Sequence, residues 1–209
     1  MRDSLKIWLS EIPNENYWSL LSDEEQSRAA KFHTEILQQH YIGAHGQLRL
    51  LLAEILKTQA SSIRFSIGDY GKPYLTDYPD WDFNLSHSAG KMAVVIGQGG
   101  QVGIDIEHCQ LRNNLTGLAK RCFANTEFNY WQQLPKSQQP NDFYRFWTLK
   151  EAFVKASGRG IALGLEQCVF DLNPKPQLIS SPLGNDWQIE ELTTQSNFKA
   201  ALVYRATNT

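Results

Sequence analysis

The sequence predicts a mixed α and β protein, because helical and strand patterns alternate along the chain without a long linker or low-complexity stretch. Apolar residues recur with helical spacing over residues 48–56, and they alternate with polar residues over residues 102–107. The 209 residues suffice for one large domain or two small ones. The order of the elements must therefore decide the domain organisation.

Charge and cysteine usage narrow the function classes. A formal net charge of −2 gives no basic field for nucleic acid or an anionic membrane, and the longest apolar run, residues 92–96, is too short to span a bilayer. Cys109, Cys122 and Cys168 are widely scattered and odd in number, which favours reduced thiols over a disulfide framework or zinc site. We expect a cytoplasmic protein without nucleic-acid or membrane partners.

A first helix is expected to begin at Ser22, because a serine followed three residues later by a glutamate forms a capping box. In this helix Phe32 and Ile36 would face inward. Arg28 and Lys31 would share its polar side, as solvated residues or as ligands of an anion.

Gly43 and Gly46 are expected to interrupt the helical pattern before a second, well-buried helix over residues 48–56. Residues 63–67 then alternate as a strand, and the glycines and proline of residues 68–73 predict a turn that holds Lys72 on a loop.

Three further strands follow, and the third is the first segment whose residues suggest a functional site. Residues 83–88 and 92–96 predict two strands, and residues 97–101 turn the chain back. The third strand buries Val102, Ile104 and Ile106 and carries Asp105 and Glu107 on its other face, about 7 Å apart. These carboxylates belong either to a solvated sheet face or to a site for a hard cation.

A third carboxylate can come from the helix predicted over residues 143–155, entered after Pro140 and closed near Gly158. Four-residue spacing places Trp147, Glu151 and Lys155 in one stripe. Glu151 and Lys155 could equally form an ordinary surface ion pair at i and i+4.

Two segments together resemble the paired signature of the 4′-phosphopantetheinyl transferase superfamily, in its surfactin-synthetase-activating type. They are Gly103-Ile104-Asp105-Ile106-Glu107 and Trp147-Thr148-Leu149-Lys150-Glu151-Ala152-Phe153-Val154-Lys155. Three shorter elements occur in the order found in that type: Gly71-Lys72-Pro73, Asn84-Leu85-Ser86-His87-Ser88 and Gly158-Arg159-Gly160.

The resemblance implies an α+β fold of two similar halves related by a pseudo-twofold axis, with the active site in the cleft between them. Residues 1–100 would form the half that binds coenzyme A. Residues 101–209 would form the half with the metal ligands and the carrier-protein surface, and the boundary would lie at residues 97–101. The surfactin-synthetase-activating type implies a monomer.

The implied activity transfers 4′-phosphopantetheine from coenzyme A to a serine of an acyl or peptidyl carrier protein. Asp105, Glu107 and Glu151 resemble the ligands of Mg²⁺, which Mn²⁺ could replace, and Lys155 would contact the phosphates of coenzyme A. Glu151, Lys155 and Asp105 would be catalytic, with Glu151 or a nearby water as the base. Two alternatives stay open: a magnesium phosphohydrolase with water as nucleophile, and a non-catalytic module that binds coenzyme A or carrier proteins.

The remaining implied contacts belong to the two substrates. Ser86 and His87 resemble residues that touch the phosphates, and their opposite orientation on a strand argues against a hydrolase triad. The carrier would dock between residues 111 and 131. The residues expected to bind coenzyme A are Arg28, Lys31, His45, Lys72, Pro73, Ser86, His87 and Lys155, with Arg49 as a substitute for His45 or a structural residue. The docking surface would combine Arg112, Lys120 and Arg121 with Phe123, Phe128 and Trp131, although aromatics of this kind are more often core residues.

Overall fold

The computed structural model describes residues 4–110 and 114–206, without the side chain of Ile161, and shows the predicted mixture of helices and strands. The helices are α1 (Asp23–Ala29), α2 (Glu35–Leu56), α3 (Leu115–Cys122), α4 (Asn125–Gln133) and α5 (Gln139–Ser157). The strands are β1 (Lys6–Glu11), β2 (Phe65–Ile67), β3 (Pro73–Leu75), β4 (Trp81–Ser88), β5 (Lys91–Gln98), β6 (Gly100–His108), β7 (Val169–Asp171), β8 (Gln177–Ser180), β9 (Gln188–Leu192) and β10 (Phe198–Ala206).

The strands form two three-stranded antiparallel sheets with the same connectivity. The first sheet has the order β1-β5-β4 and the second β6-β10-β9, so each places its first strand beside its last and its last beside its next-to-last. In each half a long helix, α2 or α5, follows the first strand, and a two-stranded hairpin, β2–β3 or β7–β8, follows that helix. This repeated connectivity confirms the prediction of two similar α/β halves.

The layers stack as helix, sheet, sheet and helix. Apolar residues of α2 pack with β4 and β5 in one core, and those of α5 pack with β10 in another. A third core, which contains Val95, Ile104 and Leu202, joins the two sheets. Val102, Ile104 and Ile106 are buried in that core, as predicted.

The first helix begins at the predicted residue, but it ends before the two residues that were expected to face inward. Ser22 Oγ accepts a hydrogen bond from Glu25 N at 3.3 Å, and Glu25 Oε2 accepts one from Ser22 N at 2.9 Å. Phe32 and Ile36, however, are 37% and 65% exposed. The prediction that they face inward was wrong, because α1 stops at Ala29 and Thr34 caps a new helix.

The prediction that Gly43 and Gly46 interrupt a helix was also wrong, since α2 runs through both. A Cβ atom at Gly43 would lie 2.3 Å from the carbonyl oxygen of Pro13, and one at Gly46 would lie 2.1 Å from Cβ of Tyr17. The glycines therefore allow the segment after β1 to lie directly against the helix.

A row of polar side chains on β4 joins the two halves. Asp82, Asn84 and Ser86 accept hydrogen bonds from the amides of Val102, Ile104 and Ile106 at 2.8, 2.9 and 3.4 Å, and Ser88 accepts one from the His108 amide at 3.1 Å. Alternate β4 side chains thus satisfy alternate amides along β6. We call this row the polar ladder.

Helix α5 crosses β6 at Gly103, which fixes the distance between the helix and the strand. Pro140 lies in the first turn of α5, and Gly158 ends the helix with φ 68°, as predicted. A Cβ atom at Gly103 would lie 2.2 Å from the Ala152 oxygen and 2.3 Å from the Ala156 nitrogen. Only glycine allows this close approach without displacing the backbone.

Replacing Gly103 with alanine is expected to push α5 away from β6 and to lower the free energy of unfolding by about 1–3 kcal/mol. Urea unfolding of the variant and the parent protein measures this change. Glu54→Ala, a change at an exposed position on α2, serves as the control. Equal stability of the Gly103 variant and the parent would contradict this account of the crossing.

Candidate active site

Strand β6 presents Asp105 and Glu107 toward helix α5. They alternate with the buried Ile104 and Ile106, and they share the face of Gly103, where the helix crosses. The face with the two carboxylates is therefore a contact with the helix. This placement excludes the alternative of a solvated sheet face.

Asp105 is buried, and two donors meet one of its oxygens. Lys155 Nζ lies 2.6 Å from Asp105 Oδ1, and Ser86 Oγ donates to the same oxygen at 2.8 Å. Lys155 Nζ also donates to Ser86 Oγ at 3.0 Å. The second oxygen, Asp105 Oδ2, is buried without a hydrogen-bond partner among the described residues.

Glu107 is held from both sides. Ser88 Oγ donates to Glu107 Oε2 at 3.1 Å, and Trp147 Nε1 donates to Glu107 Oε1 at 3.2 Å. One donor comes from the polar ladder and the other from α5. The orientation of this carboxylate thus depends on both halves of the chain.

Glu151 lies half-buried on α5 in the electrostatic field of these groups. Burial raises its pKa most, the negative charges of Asp105 and Glu107 raise it further, and Lys155 opposes the rise. Lys155 forms its ion pair with Asp105, so the expected alternative of an ordinary Glu151–Lys155 surface pair does not describe this helix. Asp105, Glu107, Glu151 and Lys155 therefore act on one another at one place.

The donor set suits a hard divalent cation such as Mg²⁺. Magnesium prefers oxygen ligands and usually takes one or two carboxylates together with water or phosphate. Asp105 Oδ2 offers a buried acceptor without a donor among the described residues, and burial together with the charges of Asp105 and Glu107 raises the pKa of Glu151. No three acidic, histidine or cysteine side chains of the described residues are arranged so that they could hold a metal ion by themselves. A cation would therefore take its other ligands from a bound phosphate or water.

A cleft of about 710 Å³ opens in the N-terminal half, between α1, α2 and the β2–β3 hairpin. Arg28, His45 and Pro73 line it, as do Arg64 and Ser66. The cleft thus joins three of the residues expected to bind coenzyme A, and it is bordered by two arginines.

Glu25 organises the inner wall of this cleft. His45 Nδ1 lies 3.4 Å from Glu25 Oε1, and the His45 ring stacks on Tyr41 with centroids 3.9 Å apart.

Arg49 donates to Glu25 Oε2 at 2.7 Å and to the carbonyl oxygens of Ala60 and Ile63. Burial opposes ionisation of Glu25, but hydrogen bonds from His45 and the Ser22 amide and the charge of Arg49 outweigh it and lower the pKa. Buried Arg49 is therefore a structural residue.

The other predicted contacts with coenzyme A lie in different surroundings. Ser86 is buried beside Asp105, whereas His87 is exposed on the opposite strand face, with a pKa lowered by desolvation and by the charges of His45, Lys155 and His40. Lys31 is exposed beyond the end of α1 and is not among the described residues that line the cleft. It therefore stays a prediction without support from the structure.

Lys72 differs most from expectation. Its neighbours Gly71 and Pro73 line the cleft, but its ammonium is held by Asp82 at 2.5 Å and by the Val102 oxygen at 2.9 Å. The ammonium thus already has partners in the protein. The structure gives no support to Lys72 as a ligand of coenzyme A.

Of the two alternatives for the aromatics between residues 111 and 131, the structure shows the core rather than a docking surface. Phe123 and Trp131 are buried, and Phe128 packs against the same core. Lys120 and Arg121 are exposed at the end of α3, while Arg112 lies outside the described residues. Lys120 and Arg121 therefore have no exposed aromatic patch beside them, because the neighbouring aromatics pack into the core.

Sequence reasoning missed Ser88 as a site residue and did not connect Trp147 to Glu107. The signal for Ser88 was present, because Asp82, Asn84, Ser86 and Ser88 place a polar side chain at every second position of one strand. Arg64 lines the cleft only because the folded hairpin brings it there, and its guanidinium is already paired with the Asp77 carboxylate.

Two family models match adjoining parts of the chain. Residues 12–99 match the model described as 4′-phosphopantetheinyl transferase, N-terminal, and residues 101–203 match the 4′-phosphopantetheinyl transferase superfamily. Together they cover nearly all of the described residues.

Named relatives agree with these models. The chain is 34% identical to 4′-phosphopantetheinyl transferase HetI of Nostoc sp., over 87% of this chain and 77% of HetI. It is also 34% identical to 4′-phosphopantetheinyl transferase Sfp of Bacillus subtilis, over 76% of this chain and 69% of Sfp. Among solved structures, a holo-(acyl-carrier-protein) synthase of Bacillus anthracis in complex with CoA is a partial match, with a TM-score of 0.44 and 24% identity over 52% of this chain and 96% of that one.

Replacing Glu151 with glutamine is expected to stabilise the protein when a chelator removes divalent cations, because it removes one of three neighbouring negative charges. Added Mg²⁺ should stabilise the parent protein by about 2.7 kcal/mol at 100 times its dissociation constant, and it should stabilise the variant less. Unfolding curves with EDTA and with Mg²⁺ measure both effects. Glu54→Gln, an exposed position on α2, is the control. A variant that is destabilised in EDTA, or that gains as much from Mg²⁺ as the parent, would contradict the shared site.

Proposed function

The chain belongs to the 4′-phosphopantetheinyl transferase superfamily, and from that membership we propose the reaction and the roles of its residues. The chain transfers the 4′-phosphopantetheine arm of coenzyme A to a serine of an apo acyl or peptidyl carrier protein. One observation carries the assignment of residues: Asp105, Glu107, Glu151 and Lys155 interact at the junction of the two halves, beside an N-terminal cleft with basic residues.

The two halves have different tasks in this proposal. Residues 1–100 bind the nucleotide end of coenzyme A in the cleft, where Arg28 and His45 face its phosphates and Pro73 packs beside the base. Residues 101–209 supply the carboxylates and the docking surface. Ser86 on β4 lies beside Asp105 and would face the pyrophosphate, whereas His87 is exposed on the opposite face of the strand and stays a prediction as a phosphate contact.

Asp105, Glu107 and Glu151 would hold Mg²⁺, or Mn²⁺ in its place, together with oxygens of the coenzyme A pyrophosphate. When bound, the cation neutralises the charge of the pyrophosphate and of the departing phosphate. The partnerless Asp105 Oδ2 supports this ligand set. Ser88 and Trp147 keep Glu107 in its orientation.

The serine hydroxyl of the carrier attacks the phosphorus that bears the pantetheine. A bond forms from the serine oxygen to that phosphorus, and the bond from the phosphorus to the bridging oxygen breaks, which releases adenosine 3′,5′-bisphosphate. Glu151, or a water beside it, accepts the serine proton as a general base. Lys155 supplies a fixed positive charge to the phosphates, because phosphoryl transfer depends mainly on positioning and charge stabilisation.

The proposal includes a monomeric, cytoplasmic protein. The three cysteines are free, as expected in a reducing compartment. In the described residues, no helix combines the length and apolarity needed to cross a bilayer.

The test incubates the protein with Mg²⁺, coenzyme A and an apo carrier and weighs the carrier by mass spectrometry. We expect the carrier to gain the mass of one phosphopantetheine, with release of adenosine 3′,5′-bisphosphate. Glu151→Gln should abolish most of the transfer while calorimetry still detects coenzyme A, because the base is lost and the cleft is intact.

Other outcomes identify the competing functions. Hydrolysis of coenzyme A without modification of the carrier would indicate a phosphohydrolase. Binding without either product would indicate a non-catalytic module. Equal losses of turnover and coenzyme A affinity in Glu151→Gln would remove Glu151 as the base.

For the carrier, we propose that Lys120 and Arg121 at the end of α3 contact an acidic surface. Both side chains are exposed, and the aromatics beside them belong to the core. The contact is therefore mainly electrostatic, which predicts a strong dependence on salt.

Reversing both charges, with Lys120→Glu and Arg121→Glu, is expected to raise the KM for the carrier about tenfold or more and to leave the KM for coenzyme A unchanged. Steady-state kinetics at low and high salt measure the effect, which should shrink as salt screens the charges. Lys175→Glu, an exposed change elsewhere in the C-terminal half, is the control. Unchanged carrier kinetics would reject this surface.

A further inference from the structure

We propose that Lys72 is a positioning residue that fixes helix α5, and with it Glu151 and Lys155, to the half of the chain that contains the cleft. The inference rests on the proposed transfer reaction. It differs from the family-based expectation that Lys72 touches coenzyme A.

The first observation is the set of partners of the Lys72 ammonium. It lies 2.5 Å from Asp82 Oδ2 on β4, 2.9 Å from the Val102 oxygen on β6 and 3.5 Å from the Ala156 oxygen on α5. One ammonium thus joins a turn and a strand of the N-terminal half to a strand and a helix of the C-terminal half. The Lys72 and Asp82 side chains are 16% and 17% exposed, so solvent screens the pair only partly.

The second observation is that the ion pair binds both backbone groups of one residue. Asp82 Oδ2 accepts a hydrogen bond from the Val102 amide at 2.8 Å, and Lys72 donates to the Val102 carbonyl. Val102 is near the start of β6 and precedes Gly103, where α5 crosses. The pair therefore fixes the strand at the point that sets the helix position.

The third observation concerns the end of α5. The last four carbonyl groups of a helix lack partners within the helix, and a cation beside them is favourable. Two of these carbonyls are satisfied locally, because Ser157 Oγ donates to the Val154 oxygen and the Gly158 amide donates to the Lys155 oxygen. Lys72, from the other half, lies beside the Ala156 carbonyl. It therefore acts as a cap for the helix turn that carries Lys155.

The fourth observation is a second contact between the same two segments, next to the Lys72 cap. Arg159 donates to Tyr70 Oη at 3.1 Å, with its guanidinium 5.2 Å from the centre of the Tyr70 ring. The turn at residues 68–72 therefore meets residues 156–160 at several points. Gly71 and Pro73 of this same region line the cleft.

These contacts connect the cleft to the catalytic helix. A ligand against Gly71 and Pro73 would order the turn, and the turn holds Val102 and the end of α5 through Lys72. Glu151 and Lys155 precede Ala156 by five residues and one residue. A small shift of the helix end would misplace both, and misplacements of about 1 Å can cost about 100-fold in rate.

The experiment separates positioning from binding. Lys72→Met is expected to lower kcat at saturating coenzyme A roughly 10- to 100-fold, while calorimetry gives an unchanged dissociation constant for coenzyme A. Asp82→Asn should lower kcat similarly, and the double variant should lose less than the product of the two single losses because both remove one interaction. Lys72→Arg should recover part of the rate, and Lys6→Met on exposed β1 is the control.

Two results would overturn the inference. If coenzyme A affinity falls by the same factor as kcat/KM while kcat is unchanged, Lys72 is a ligand. If neither kcat nor the coenzyme A affinity changes in a folded variant, the contacts of Lys72 with Asp82, Val102 and Ala156 have no role in the reaction.

Hydrogen exchange provides a readout that does not depend on turnover. Adenosine 3′,5′-bisphosphate should protect the amides at the start of β6 and the end of α5 in the parent protein, and this protection should be lost in Lys72→Met and kept in Lys6→Met. Equal protection in all three would contradict the coupling. A parent protein that shows this protection and does not modify any carrier would refute the proposed function while the coupling stands.

Discussion

The structure depends on how the backbone amides along one edge of β6 find hydrogen-bond partners. One edge of this strand pairs with β10, and the other meets β4 from the neighbouring sheet. Buried amides without partners would cost free energy, and the side chains of β4 accept their hydrogen bonds. A side-chain ladder is longer than a backbone ladder and leaves hydroxyl groups at the junction. Two of them, on Ser86 and Ser88, donate to the carboxylates of β6.

This construction places like charges together. Asp105, Glu107 and Glu151 lie near one another, with Lys155 as a partial counter-charge on Asp105. Like charges at this spacing repel one another, and they add to the effect of burial, which is the main cause of the raised pKa of Glu151. The same repulsion favours a cation with its phosphate, so it supports function at the expense of stability. The polar ladder and the contacts of Lys72 hold these carboxylates and Lys155 in place.

Local patterns predicted the chemistry well and the packing poorly. The capping box at Ser22, the buried alternation of β6 and the stripe on α5 follow from spacing within a single element, and each was confirmed. Gly43 and Gly46 were misread, because a glycine that permits close contact has the same local signal as one that ends a helix. The sequence alone did not decide whether Phe123 and Trp131 belong to the core or to a docking surface, because burial depends on the elements packed around them.

The sequence by itself determined the reaction family through its motifs, and it predicted three carboxylates and a lysine for the site, because the spacing of residues along β6 and α5 is a local property. Only the tertiary structure decided the order of the strands in the two sheets, the burial of Asp105 Oδ2 and the partners of Lys72. Lys72 and Ala156 are 84 residues apart. Periodicity within an element carries no information on which distant carbonyl or carboxylate a charged side chain will meet, since that depends on how whole elements pack.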